Sequence, residues 1–162
     1  MPDWIAHILV AWTIGTILGF KFKQFNSANI ALFIVGSLVP DIIKITMLFG
    51  YLGIGLSKFF IPLHTPIGSL IIATIFSFFF KEQRIALFFL IGGMFTHYML
   101  DLLLFDINGG IYLLYPLSWN QYQLGLITNY DFNITVLSII ISFTVYLISN
   151  KIHKRQLLKH KT

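Results

Sequence analysis

FTHYMLDLLLF, residues 95–105, sets a histidine and a carboxylate inside a run otherwise suited to hydrocarbon. His97 and Asp101 are four residues apart, so on a helix they project from one face, a turn apart. Helix is the expected form, because a segment in lipid must satisfy its own backbone hydrogen bonds and the strict alternation of a barrel strand is missing. The rest of the chain has the same character. Of its 162 residues, 57% are hydrophobic and 10% charged, with mean hydropathy +0.82, whereas a soluble domain carries roughly a quarter charged residues. A bilayer is its natural solvent.

Crossing a hydrocarbon core takes roughly 20 apolar residues as helix. Five stretches qualify, at about 4–20, 29–49, 61–80, 85–105 and 132–149. They predict an all-α integral membrane bundle of about five transmembrane helices, one domain over 1–150, followed by a basic tail at 151–162. The opening MPDWIAH has an acid where a signal peptide has a basic region, and no A-x-A-like cleavage site follows, so the first stretch reads as a span.

Basic residues set the orientation. Lys21 and Lys23 follow the first span, Lys81 and Arg84 the third, and the tail KIHKRQLLKHKT the fifth; together they hold nine of the eleven Lys and Arg. With five spans these segments share a side, which predicts N-terminus out, C-terminus in, and a multi-pass protein of the cell (inner) membrane. The net charge of +5 is then a topology signal, with anionic lipid rather than nucleic acid as the partner of the tail. The segment DINGGIYLLYPLSWNQYQLGLITNYD, 106–131, carries no Lys or Arg and is rich in Tyr, Trp, Gly and Leu. It suits an outer loop lying at the interface or folding back over a site.

On those spans the polar groups gather at one depth. His7, Asp41, His64, His97 and Asp101 all fall in the outer half, from four different helices, at 1.5 Å rise per residue. Of six carboxylates only Asp41 and Asp101 lie well inside spans, where a charge costs about 2.5–3.5 kcal/mol on the mildest scales. Plain pairing could offset this, through an i,i+4 bond between His97 and Asp101 or a contact of Asp41 with Lys44. A shared divalent cation explains all five groups together. With no cysteine in the chain, its ligands are imidazole and carboxylate, a set that suits zinc first and manganese or iron next. If Asp101 uses both oxygens it could bridge two ions. In PLHTPIGSL, Thr65 reads as a helix cap with Pro66 in the first turn, holding His64 at a helix entrance; Pro40 is expected to kink the second span beside Asp41.

The ordered set His7, VPDI at Pro40 and Asp41, LHTPIGSL at His64, THYMLD across His97 and Asp101, and GGIYLLYPLS at 109–118 resembles the YdjM-like family of membrane-bound, metal-dependent hydrolases. The resemblance covers positions 1 to about 125. It implies that the five residues are metal ligands or their immediate neighbours. The ligand order is also distantly similar to that of zinc-dependent phospholipase C. Where the family commonly shows a motif resembling H-R-G-x-T-H-S, this chain has HTPIGS. It thus lacks an Arg and a second His, and the later phospholipase ligands have no match after Asp101, so one or two ions are expected.

The function expected is a membrane-embedded hydrolase that cleaves a lipid or lipid-linked ester or phosphoester at the outer leaflet through metal-activated water. Asp41 is the preferred general base, and Lys44, Ser118, Trp119 and Tyr122 would meet the substrate headgroup. The alternatives are a proton- or ion-coupled transporter using the Asp and His groups as a relay, and a non-catalytic metal-bound scaffold acting through the basic tail.

Overall fold

The computed structural model describes residues 4–44, 61–105, 109–127 and 131–159. Among them every regular element is helical: α1 (Trp4–Gly19), α2 (Ser27–Leu38), α3 (Pro66–Ser77), α4 (Gln83–Leu103) and α5 (Asp131–Lys159), with 3-10 turns at Val39–Lys44 and Ile61–His64.

Local chemistry sets these boundaries. Asn26 caps α2 by accepting the Asn29 N–H at 3.0 Å, and Thr65 caps α3 by accepting the Gly68 N–H at 3.2 Å, with Pro66 opening the helix. The continuous helix expected over 29–49 is not what forms. The α-helix ends at Leu38 and tightens to a 3-10 turn through Lys44, because Pro40 has no N–H for the helical ladder; positions 45–49 lie outside the described residues. The third span likewise begins with a 3-10 turn, its α-helix starting at Pro66. The tail expected from 151 is a continuation of α5 through Lys159, since no Gly or Pro interrupts it.

Two helices, Gln83–Leu103 and Asn133–Lys154, are long and apolar enough to cross a membrane; α1, α2 and α3 are shorter apolar helices of 16, 12 and 12 residues. Their outer faces are unsuited to water. On α4, Phe88, Ile91, Phe95 and Met99 point outward at helical spacing, with Phe88 and Phe95 about two-thirds exposed. The opposite face of the same helix is buried and contains His97 and Asp101. Polar groups face inward and aromatic rings outward, the arrangement that lipid favours.

α4 is the centre of the bundle, packed against α2 and α3, while α5 lies along α1. The α1–α5 seam uses small polar side chains: Thr13 and Ser142 share a hydrogen bond at 2.8 Å, and the Ser142 hydroxyl also reaches the Leu9 carbonyl at 3.3 Å. The α2–α4 crossing is closer still. A methyl group at Gly93 would run into the carbonyl of Phe33 and the backbone of Ser37, and one at Gly36 into the backbone of Leu90. This backbone-to-backbone approach brings α2 onto α4 one turn before His97.

After α4 the chain folds back on itself. Ile111 and Tyr122 exchange two backbone hydrogen bonds at 2.9 Å, and the N–H groups of Leu124 and Ile127 donate to the carbonyls of Leu102 and Leu103. The returning segment thereby satisfies carbonyls that the end of α4 leaves open. Ile111 is buried in one apolar cluster with Val39, Leu90, Met94 and Tyr98, and the loop is thereby anchored on the α4 face that carries Tyr98 and Asp101.

Replacing Gly93 with Ala should destabilise the protein by about 1–3 kcal/mol through overpacking, measured as denaturant or thermal stability in detergent. Gly92→Ala should cost less, because the new methyl meets only the edge of the Phe33 ring. Equal stability of the two variants would mean that the close crossing is absent.

Candidate metal centre

Four segments deliver five side chains to one point. His7 comes from α1, Asp41 from the 3-10 turn after α2, His64 from the 3-10 turn before α3, and His97 with Asp101 from the last turns of α4. All five are buried, His97 completely. Their donor atoms form two overlapping groups, His7, His97 and Asp101, and Asp41, His64 and His97, each within 4.8 Å.

Asp101 lies at the middle. Its Oδ1 is 3.5 Å from His7 Nε2, and its Oδ2 is 3.4 Å from His64 Nε2 and 3.2 Å from His97 Nε2. Asp41 Oδ1 is 3.9 Å from His97 Nε2. The His7 and His97 rings stack with centroids 3.8 Å apart, and the His64 ring stands nearly perpendicular to that of His97 at 5.4 Å.

Backbone carbonyls orient two of the imidazoles. His97 Nδ1 lies 2.7 Å from the Ser37 carbonyl, and His64 Nδ1 lies 2.9 Å from the Pro40 carbonyl. A carbonyl can only accept, so each Nδ1 carries the proton and donates, which turns the lone pair of Nε2 toward Asp101. In a 3-10 turn the donor to the Ser37 carbonyl would be the N–H of residue 40, which proline lacks; His97 takes that place. The proline that shortens α2 thus frees the acceptor that sets the ligand histidine.

A second chain of hydroxyls holds His64. Ser69 Oγ is 2.8 Å from the Leu63 carbonyl and 2.6 Å from the Tyr98 hydroxyl. The serine has one proton and the carbonyl can only accept, so Ser69 donates to Leu63 and Tyr98 donates to Ser69. Thr65 adds a bond from its hydroxyl to the Pro62 carbonyl at 2.6 Å. Gly68 leaves room for this turn, since a methyl there would meet the Pro62 carbonyl.

This donor set fits a divalent cation. Charge-assisted hydrogen bonds run about 2.7–2.9 Å, and neither oxygen of Asp101 nor the Nε2 of His7, His64 or His97 makes a hydrogen bond. Two ligands on one tetrahedral ion, each about 2.0–2.1 Å from it, stand about 3.3 Å apart. The three separations around Asp101, 3.2–3.5 Å, match that of ligands sharing an ion, while Asp41 stands farther off at 3.9 Å. A cation also removes the penalty of burying a carboxylate without hydrogen bonds. Direct gluing of helices by His97 and Asp101 leaves those orphan atoms unexplained.

The other expected site residues are placed differently. Lys44 ends the turn that carries Asp41, but its side chain lies outside the described residues. Ser118 accepts the Asn120 N–H, Trp119 packs edge-on against the rings of Tyr112 and Tyr115, and Tyr122 pairs through its backbone with Ile111. These contacts are internal to the loop. Conversely, Ser37, Ser69 and Tyr98 orient the clustered histidines without having stood out in the sequence, and Pro40, expected there as a kink, also supplies the carbonyl that accepts from His64. The available signal was the Gly-Ser pair at 36–37 and again at 68–69, a close-approach residue beside a hydroxyl in an apolar run.

Tyr98→Phe keeps the ring and removes the donor to Ser69. Zinc affinity, read by competition with a chromogenic chelator, should fall about tenfold, with helix content unchanged by circular dichroism. Ser69→Ala should weaken it further, because it leaves both the Tyr98 hydroxyl and the Leu63 carbonyl without that partner. Affinity unchanged in both variants would show that the hydroxyl chain does not hold His64.

Neither the curated proteins nor the solved structures contain a significant match to this sequence. A family match is extensive: residues 1–158 align to the family described as YdjM inner membrane protein. The aligned region includes all five clustered His and Asp residues and both helices long enough to cross a bilayer, and the chain belongs to the YdjM inner membrane protein family.

Proposed function

We propose that this chain is a multi-pass membrane hydrolase that holds one or two divalent cations, zinc before manganese or iron, and cleaves a lipid or lipid-linked ester, with a phosphoester as the favoured substrate. The observation that carries the reading is Asp101, a buried carboxylate faced by three imidazole nitrogens at 3.2–3.5 Å with no hydrogen bond to either oxygen.

A five-span topology is part of the proposal. The 3-10 turns have a rise of about 2.0 Å per residue, so Ser27–Leu38 with Val39–Lys44 measures about 30 Å along the chain, and Ile61–His64 with Pro66–Ser77 about 26 Å. Both approach the hydrocarbon thickness although their α-helices are short. With the N-terminus out and the C-terminus in, the His and Asp cluster opens at the outer leaflet and the basic end of α5 meets anionic lipid inside.

His7, His64, His97 and Asp101 would hold the cation, with Asp41 as a further ligand or its immediate neighbour. When bound, such a cation supplies Lewis acidity toward the scissile group and lets water deprotonate near neutral pH. Asp41 Oδ1 lies 3.9 Å from His97 Nε2 and would accept the proton of the attacking water there. The backbone bonds from His97 to Ser37 and from His64 to Pro40 keep the imidazoles from turning away. Lys44, on the turn next to Asp41, and Ser118, Trp119 and Tyr122, on the loop after α4, would meet the headgroup.

A relay through the membrane is less well supported. Toward the start of α4, beyond the cluster, Phe33, Phe89, Leu90 and Ala86 are apolar, and the buried polar groups away from the cluster among the described residues, such as Thr13, Ser77 and Ser142, are hydroxyls rather than carboxylates or imidazoles.

Detergent-purified protein should contain at least one equivalent of transition metal by elemental analysis, and Asp101→Ala should lose it along with hydrolysis of a lipid ester and phosphoester panel. Asp41→Asn should keep most of the metal and lose about 10²–10⁴-fold in rate. Metal-replete protein inactive across a broad panel would refute the hydrolase; metal absent from the wild type would refute the centre.

A further inference from the structure

A second site lies at the other end of the bundle. Between α2, the end of α3 and the start of α4 there is a groove of about 520 Å³, lined by Leu32, Val35, Phe76 and Phe80, with Asn29 and the exposed Lys81 and Glu82 as its polar residues. A shallower depression beside it runs over Lys81 to Ile85 and takes in Arg84. The groove is apolar in depth and charged only at the rim, the profile of a lipid with one acyl chain between helices and its headgroup outside.

Its position separates it from the metal centre. Ile85 lines the groove and His97 is twelve residues further along the same helix, about 18 Å at 1.5 Å per residue. The three helices all run the same way in this respect: each brings its ligand-bearing end to the cluster and its other end to the groove. A molecule bound here cannot reach Asp101 with its headgroup.

Charge identifies the occupant. Lys81 and Arg84 flank the mouth, and Lys21 and Lys23 are exposed on the α1–α2 connection at the same end of the bundle, against Glu82 as the acidic residue at the rim. Basic pockets between membrane helices recognise anionic headgroups, each Lys or Arg contributing about a fivefold preference. We infer that this groove binds an anionic phospholipid from the leaflet opposite the metal centre, its acyl chain between α2 and α3 and its phosphate at Lys81 and Arg84. This lipid is a bound partner, distinct from any substrate, and its binding is independent of the hydrolase reading.

Native mass spectrometry of the full chain in detergent tests this with phosphatidylglycerol and phosphatidylcholine of identical acyl chains, supplied in equal amounts. The wild type should retain phosphatidylglycerol at least about fivefold over phosphatidylcholine. Lys81→Ala and Arg84→Ala should each remove about a fivefold share of that retention, Glu82→Gln should raise it, and Val35→Trp should lower retention of both lipids by filling the groove. Helix content by circular dichroism, read on the same samples, should stay at the wild-type level in every variant and shows that the bundle is intact. Equal retention of the two lipids by the wild type overturns the proposal. So does a phosphatidylglycerol preference that survives both Val35→Trp and the Lys81→Ala, Arg84→Ala double variant, because it then belongs to the basic end of α5.

Discussion

A carboxylate buried inside an apolar bundle requires a counter-charge, and the packing at one end of this protein is organised around that requirement at Asp101, in the last turn of α4. Taking an ionised aspartate out of water without a partner is costly, and here a second aspartate, Asp41, is buried in the same cluster. Three imidazoles alone do not resolve this, because their Nε2 atoms stand too far from Asp101 for strong hydrogen bonds. They stand at the separation of ligands that share an ion. The donor set therefore fits a divalent cation.

The helix breaks on either side serve the same end. Within an α-helix each carbonyl already accepts one backbone N–H, whereas a carbonyl that lacks this donor offers its full acceptor capacity to a side chain. Pro40 and the 3-10 turns expose carbonyls at Ser37, Pro40 and Leu63, and each is taken by a group that sets a histidine: His97, His64 and Ser69. Irregular backbone at membrane depth is tolerated where it lines a site and its polar groups are satisfied. The glycines at 36, 68 and 93 let these irregular segments approach α4 and one another closely.

The two ends of the bundle differ in kind. One gathers buried His and Asp beneath a loop that folds back on α4; the other has exposed Lys and Arg around an apolar groove. A channel or relay needs continuity between faces. Among the described residues the buried His and Asp side chains gather at one end of this interior, and the other end holds Phe33 and Phe89 with a few hydroxyls.

Local features of this arrangement were legible in the sequence because they depend on spacing alone. The i,i+4 placement of His97 and Asp101 requires only that α4 be a helix, and Thr65 with Pro66 marks the start of α3 through backbone chemistry within four residues. The family resemblance rested on the same short motifs. Composition indicated a lipid environment, since too few charged residues exist to cover a water-facing surface. What the tertiary structure decided are the relations between residues far apart in the chain: that Ser37 accepts from a histidine 60 positions away, that Tyr98 reaches Ser69, and that Asp101 stands between three imidazoles while Asp41 sits beside His64 and His97. Those depend on how closely and at what register two helices cross, which is set by the joint packing of both surfaces and not by the periodicity of either.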